Sequence, residues 1–153
     1  MKKVIDRHVC VIIVYSSNRL LLGGYDDGYP WFPNYGNLLG GNFEKGDYSP
    51  EETLRREITE ELSFPNSIPI REEIMKNLKP YADFITTDPI IERIVNGRKI
   101  NFLKEGRTRN AMVSCFVSEI SSSMIDKALN LVENGKKLVS EGVVSIKTIE
   151  DVA

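Results

Sequence analysis

Residues 40–64 read GGNFEKGDYSPEETLRREITEELSF and hold the strongest structural signal in the chain. Within them Leu54, Ile58 and Leu62 recur every four residues, which predicts a helix with one buried face. The pattern Ser-Pro-x-Glu at residues 49–52 combines an N-cap serine, a first-turn proline and a capping-box glutamate. The stretch therefore predicts a glycine-rich loop that leads into a capped, amphipathic helix.

Three carboxylates share another side of this predicted helix. Glu57, Glu60 and Glu61 stand at i, i+3 and i+4, and like charges at that spacing repel. A divalent cation removes the repulsion, and Mg²⁺ or Mn²⁺ prefers oxygen ligands of this kind. Arg56, four residues before Glu60, is suited to orient a carboxylate through a bidentate pair. The alternative is a solvated acidic face with ordinary Glu–Arg pairs.

The same stretch resembles the Nudix box, whose usual pattern is G-x5-E-x7-R-E-U-x-E-E-x-G-U, with U an apolar residue. Gly41 matches the first glycine, residues 56–61 match R-E-U-x-E-E at every position, and Phe64 matches the last apolar residue. There are three departures from the pattern. Asp47 stands at the first glutamate, one extra residue separates it from the arginine, and Ser63 replaces the second glycine.

The resemblance implies a fold and an activity. The expected fold class is α+β, a Nudix-type α/β/α sandwich with a mixed β-sheet between helices, over residues 1–153 as a single Nudix hydrolase domain. The expected activity is Mg²⁺-dependent hydrolysis, with Mn²⁺ as a second candidate metal, of a phosphoanhydride bond in a nucleoside diphosphate linked to another group, such as a sugar. Two alternatives stay open: a nucleoside triphosphate pyrophosphohydrolase and a non-catalytic nucleotide-binding Nudix domain.

The resemblance also assigns roles to residues. The implied metal ligands are the Gly41 carbonyl, Glu57, Glu60 and Glu61. The implied catalytic residues are Arg56, Glu57, Glu60 and Glu141. Family members place the general base either inside the box or on a later loop, so Glu57 is the candidate inside it, while Glu105 and Glu141 are candidates outside it.

Two further groups of residues are candidates for binding the substrate. The segment KEGRTR includes Arg107 and Arg109, which are suited to contact phosphate, although a solvated loop explains them equally well. Trp31 and Tyr35 belong to an aromatic-rich loop and are suited to stack on a base or sugar. The alternative for the aromatic loop is that it plugs the edge of the core.

Composition excludes several classes of protein. The chain has 153 residues with 20 Lys and Arg against 22 Asp and Glu, a net charge of −2, so bulk basic charge does not drive nucleic-acid binding. Its two cysteines lie in separate apolar runs, which excludes a disulfide framework and favours reduced core thiols in a cytoplasmic protein. No apolar run reaches membrane-spanning length, and the run Val9 to Tyr15 is interpreted as a first core strand, not as part of a signal peptide.

The expected partner is thus a small-molecule nucleotide substrate, with no membrane and no nucleic acid, and a homodimer is an open alternative because dimers are common in the family. RNA decapping is disfavoured by the near-neutral charge. Isomerase chemistry of the same box needs a well-placed cysteine, and Cys10 and Cys115 both read as buried.

The rest of the chain predicts a mixed α+β pattern. Its expected elements are a hairpin over 9–22 whose first strand is buried on both faces, strands across 68–105 broken at Lys79-Pro80 and Asp88-Pro89, a hairpin turn at Asn96-Gly97, a strand over 111–117, a helix over 123–133, a last strand over 142–146 and a terminal helix capped by Thr148.

Overall fold

The first hairpin forms where the continuous apolar run over residues 9–15 and the turn after it predict it. A computed structural model of the chain describes residues 4–24, 36–63, 66–89, 92–95, 98–101, 108–133 and 143–148. Strand β1 (Arg7–Ser16) turns through Ser17, at φ 54°, and pairs antiparallel with β2 (Arg19–Gly24). Burial along β1 alternates between full and partial, because one face packs on the main core and the other is only half-covered. The expectation of burial on both faces therefore holds for one face.

Further strands and three helices complete the described structure. They are β3 (Gly36–Asn37), β4 (Leu39–Asn42), α1 (Pro50–Glu61), α2 (Ile68–Lys76), β5 (Leu78–Pro89), β6 (Glu92–Val95), β7 (Arg98–Asn101), β8 (Thr108–Glu119), α3 (Ser122–Glu133) and β9 (Val143–Thr148).

The sheet is mixed and is organised around β1. Its strand order is β3-β2-β1-β8-β5, with β4 paired to β1 and β9 paired to β2. The β1–β8 pair is parallel, and the other pairs of this sheet are antiparallel. Alternate residues of β1 and buried residues of all three helices share one hydrophobic cluster. The architecture is the α+β sandwich that the sequence predicts.

Residues 68–76 form a helix where the sequence analysis expects a strand. The β-branched residues Ile68, Ile70 and Ile74 favour a strand locally. However, Ile70 and Ile74 are both fully buried one helical turn apart, and Pro69 is compatible with the first turn of α2. The buried i, i+4 pair therefore overrides the local strand propensity.

Strand β5 continues through Lys79-Pro80, where a break is expected. The pairing of β5 with β8 shifts register between Pro80 and Ala82, which accommodates the proline. β5 is also the last strand in the order of the main sheet, a position where the missing N–H of a proline is tolerated. By contrast, β6 and β7 pair with Val95 opposite Arg98, as a two-residue hairpin predicts. The turn residues themselves lie outside the described part.

The core agrees with the remaining expectations. Cys10 and Cys115 are buried free thiols, and α3 buries Ile125 and Ala128, although Leu129, expected on the same face, is only half-buried. The expected helix after Thr148 lies outside the described residues. Among the helices that the structure describes, none combines the length and apolarity needed to cross a membrane.

Candidate active site

The site is built on helix α1, which begins as its sequence predicts. Ser49 has extended backbone geometry, its Oγ accepts a hydrogen bond from the Glu52 backbone N–H at 3.3 Å, and Pro50 occupies the first turn. Leu54, Ile58 and Leu62 are fully buried, as the spacing predicts. The cap and the buried stripe together fix the rotation of the helix about its axis.

That rotation places Glu57 against the Gly40–Gly41 pair of β4. A Cβ atom at Gly41 would overlap the Glu57 carboxylate, so only glycine leaves the carboxylate its present position. Gly40 has φ +141°, and a Cβ there would overlap the Cys10 carbonyl and lie 2.8 Å from the Val11 Cα. The two glycines therefore have different roles: Gly40 allows β4 to approach β1, while Gly41 makes room for Glu57.

Glu61 faces the same pair one turn further along α1. The Gly40 backbone N–H donates to the Glu61 Oε1 at 3.3 Å. Glu60 is more exposed, with 58% of its side chain accessible. The structure thus brings Glu57 and Glu61 to the glycine pair and leaves Glu60 at the rim.

Arg56 links this carboxylate group to the preceding loop. Its guanidinium donates to the Glu57 Oε1 at 2.8 Å and to the Asn42 carbonyl at 2.9 Å. It also forms a bidentate pair with Asp47, at 3.1 and 3.4 Å. The nearest Glu60 oxygen, the partner suggested by helix spacing, lies 3.9 Å away. Arg56 therefore orients Glu57 and is itself held by Asp47.

Asp47 is the functional contact that sequence reasoning missed. Besides Arg56, its Oδ2 accepts hydrogen bonds from the Glu44 backbone N–H and from the Thr53 hydroxyl, both at 2.9 Å. The signal was present in the sequence, because Asp47 is the acidic residue that the box pattern calls for. What the pattern does not reveal is that a shorter acid on a longer loop still reaches the arginine.

The charges of this network shift two pKa values in opposite directions. The hydrogen bond from Arg56 lowers the pKa of Asp47 to about 2, with help from the Glu44 N–H. Burial raises the pKa of Glu57, and it outweighs the opposing influence of Arg56. The neighbours of Asp47 therefore stabilise its charged form. For Glu57 the loss of hydration on burial outweighs the stabilisation of its charge by Arg56.

The donor set fits a hard divalent cation in its chemistry but is not assembled as a cage. Within the residues that the structure describes, no three His, Cys, Asp or Glu side chains are grouped so as to hold a metal ion. Glu57 points to Arg56 and Glu61 to the Gly40 N–H. Even so, the carboxylates and the backbone carbonyls beside them are the oxygen ligands that such a cation prefers. Gly41 leaves room beside the Glu57 carboxylate.

The structure does not describe most of the other predicted site residues. Trp31, Tyr35, Arg107 and Glu141 lie outside the described part, as does Glu105. Arg109 belongs to β8, where its backbone lies opposite Asp88 of β5. The roles of these residues stay predictions.

The single histidine, His8, lies near the start of β1 and makes structural contacts. His8 Nε2 lies 2.7 Å from the Ser114 Oγ, and its ring stacks on Phe43 with centroids 5.3 Å apart. The Phe43 backbone N–H also donates to the His8 carbonyl. These contacts hold the segment after the glycine pair against β1.

Comparison with known proteins gives one family and several structural relatives. A model of the NUDIX domain matches residues 5–103, while no curated protein matches the chain.

Similar solved structures include the mMutator MutT protein of Bacillus halodurans, at 16% identity and a TM-score of 0.47, with 95% of this chain and 71% of that one covered. NrtR of Shewanella oneidensis has 13% identity and a TM-score of 0.48, with 96% and 54% covered. The Ap4A hydrolase of C. elegans has 12% identity and a TM-score of 0.42, with 95% and 83% covered. The chain thus spans only about half of the NrtR protein.

Proposed function

The chain belongs to the Nudix domain family, and from that premise we propose that it is a Nudix hydrolase that cleaves a phosphoanhydride bond in a nucleoside diphosphate linked to another group, such as a sugar. One observation carries the proposal: Glu57 and Glu61 lie one helical turn apart and face the glycine pair, where Gly41 keeps space for Glu57 and the Gly40 N–H donates to Glu61. A purely structural acidic face has no use for a glycine at Gly41, since any larger residue would displace Glu57.

The proposed metal ligands are Glu57, Glu60, Glu61 and the Gly41 carbonyl, with Mg²⁺ as the proposed ion and Mn²⁺ as the second candidate. Bound there, such an ion would neutralise charge on the phosphate oxygens and make a water molecule more acidic. Glu60, although exposed, is three residues from Glu57 and therefore lies on the same side of α1.

The remaining roles belong to the protein's own groups. Arg56 positions the Glu57 carboxylate, and Asp47 positions Arg56 through its bidentate contact. Glu57 is the proposed general base within the box, because it is the carboxylate that Arg56 orients and for which Gly41 leaves room. Glu141 is the alternative base outside it.

Substrate recognition is proposed to involve residues outside the box. Arg107 and Arg109 are proposed to contact phosphate, and Trp31 and Tyr35 to stack on the base or the second group. The partner is therefore a small nucleotide, taken up by a single domain over residues 1–153, and the proposed location is the cytoplasm. A nucleoside triphosphate is the second candidate substrate, because the box supplies the cleavage chemistry and not the choice of leaving group.

The test is a hydrolysis screen with Mg²⁺ on nucleoside diphosphate sugars, dinucleoside polyphosphates and nucleoside triphosphates, with products identified by mass. Wild type is compared with Glu61→Gln and with the matched control Glu52→Gln, an exposed glutamate of the same helix. We expect turnover of one substrate class, retained in the control and lost at Glu61→Gln. Equal turnover in all three proteins would refute the assignment, and nucleotide binding without turnover would support the non-catalytic alternative.

A further inference from the structure

A groove of 530 Å³ lies between α1 and α2, away from the carboxylates. Arg55 and Thr59 of α1 line it, and each is two residues from Glu57. Two residues along a helix is a rotation of about 200°, so the groove and Glu57 lie on opposite sides of α1. The volume falls within the range of about 300–1,000 Å³ that is usual for small-molecule sites.

The groove carries positive charge that the protein does not balance. Arg55, Arg71 and Lys76 line it with a single acid, Glu72, so its formal charge is +2. None of the three cations forms an ion pair with any other residue in the described segments. A phosphate monoester carries a charge of about −1.5 to −2 at pH 7, which matches this excess, whereas a carboxylate matches only half of it.

One donor in the groove wall has no partner. Arg71 Nε is buried and makes no hydrogen bond among the described residues. An unsatisfied buried donor is unfavourable, and a guanidinium that turns toward a phosphate oxygen regains the bond in charge-assisted form.

The floor of the groove is apolar. Ile58 is fully buried beneath it, Met75 is partly buried, and Ile68 is 57% exposed at its edge. A methionine thioether packs favourably on an aromatic ring. We propose that this groove binds a small ligand with a phosphate monoester and an aromatic ring, of the nucleoside monophosphate class, as a second site distinct from the carboxylate site. The inference does not depend on the proposed hydrolase activity.

The test uses AMP as the probe and two-dimensional NMR of the full chain without divalent metal, with EDTA present. Adenosine and inorganic phosphate are titrated separately. We expect saturable shifts of the Arg71 Nε–Hε signal and of the α2 amides. AMP should bind about tenfold or more tightly than either fragment, as expected when both parts are recognised.

Arg71→Gln and the exposed Arg55→Gln should each weaken AMP binding about tenfold, while Lys127→Gln, on the exposed side of α3, should not. Thermal unfolding checks that each variant is folded. If Arg71→Gln does not fold, Arg55→Gln provides the test in its place. No saturable shift at about 10 mM AMP, shifts confined to Gly40 and Gly41, or wild-type affinity in Arg55→Gln would overturn the proposal.

Discussion

Gly41→Ala should separate activity from stability at the candidate active site. A methyl group at Gly41 would overlap only the end of the Glu57 side chain, which can rotate away, and the Gly41 backbone is outside the left-handed region. Gly→Ala at a compatible position stabilises a protein by about 0.4–1 kcal/mol through the unfolded state, which offsets the displaced Glu57 contact. We therefore expect the free energy of unfolding to stay within about 1 kcal/mol of wild type. Turnover should fall about 100-fold, because displacement of a positioned group by about 1 Å has that effect.

Two other glycines of the same segment serve as controls. Gly46 has φ +110° and no atom within 4 Å of an added Cβ, so Gly46→Ala should cost only the backbone strain, about 1–2 kcal/mol. Gly40 has both a positive φ and an overlap with the backbone of β1, so Gly40→Ala should cost about 3 kcal/mol or more. Gly46→Ala thus tests backbone strain alone, and Gly40→Ala tests strain together with backbone overlap. Gly41→Ala tests overlap with one carboxylate.

Urea unfolding gives the three stabilities, and steady-state hydrolysis of the substrate found in the screen gives the three activities. We expect the largest loss of stability at Gly40→Ala, and at Gly41→Ala a large loss of activity with little change in stability. If Gly41→Ala hydrolyses substrate like wild type while remaining folded, the position of Glu57 against Gly41 does not matter for the reaction. The assignment of Glu57 would then fail even if the chain is a hydrolase.

Three further changes test the framework of the site. Ile58→Ala should destabilise the protein by about 2–5 kcal/mol and the exposed Thr59→Ala by less than about 0.5 kcal/mol; equal urea midpoints would mean that the wrong helix face is assigned as buried. Ser49→Ala should cost about 1 kcal/mol by loss of the N-cap, and an unchanged midpoint would contradict the capping role. The pKa of Asp47 is about 2 in the folded protein, below its usual 3.8, so its stabilisation is complete above the unfolded value and is lost as the pH falls toward 2. Urea unfolding between about pH 4 and 2 should show a steeper loss in wild type than in Asp47→Asn, and parallel curves would remove Asp47 from the network that holds Arg56.

The sequence predicted best the elements whose signals are local and redundant. Helix α1 has a cap, a first-turn proline and a buried stripe that all agree, and each was confirmed. The β6–β7 pairing follows from two turn residues. Helix α2 was mistaken for a strand because its isoleucines favour both states locally, and the choice depends on which neighbours bury Ile70 and Ile74. That information is tertiary, so no window of residues contains it.

In the site, too, contacts within one helix follow from the sequence, whereas contacts between separate elements do not. The helix spacing correctly placed Glu57 and Glu61 near each other, because both lie on one element. The spacing also suggested Glu60 as the partner of Arg56, whereas the bidentate contact is with Asp47, nine residues earlier in the chain. Contacts between a loop and a helix depend on how the loop folds back, which residue spacing alone does not reveal.

The loop over residues 44–48 brings Asp47 to Arg56 although Asp47 and the extra residue depart from the usual box pattern. Aspartate is one methylene shorter than the usual glutamate, yet Asp47 reaches Arg56 at 3.1 Å. It does so because residues 44–47 form a tight turn: the Asp47 N–H donates to the Glu44 carbonyl, and the Glu44 N–H donates back to the Asp47 carboxylate. Tyr48, between this turn and the helix cap, is 95% exposed. Because Tyr48 is almost fully exposed, an extra residue at this point is compatible with Glu57 and Glu61 facing the glycine pair while the loop brings Asp47 to Arg56.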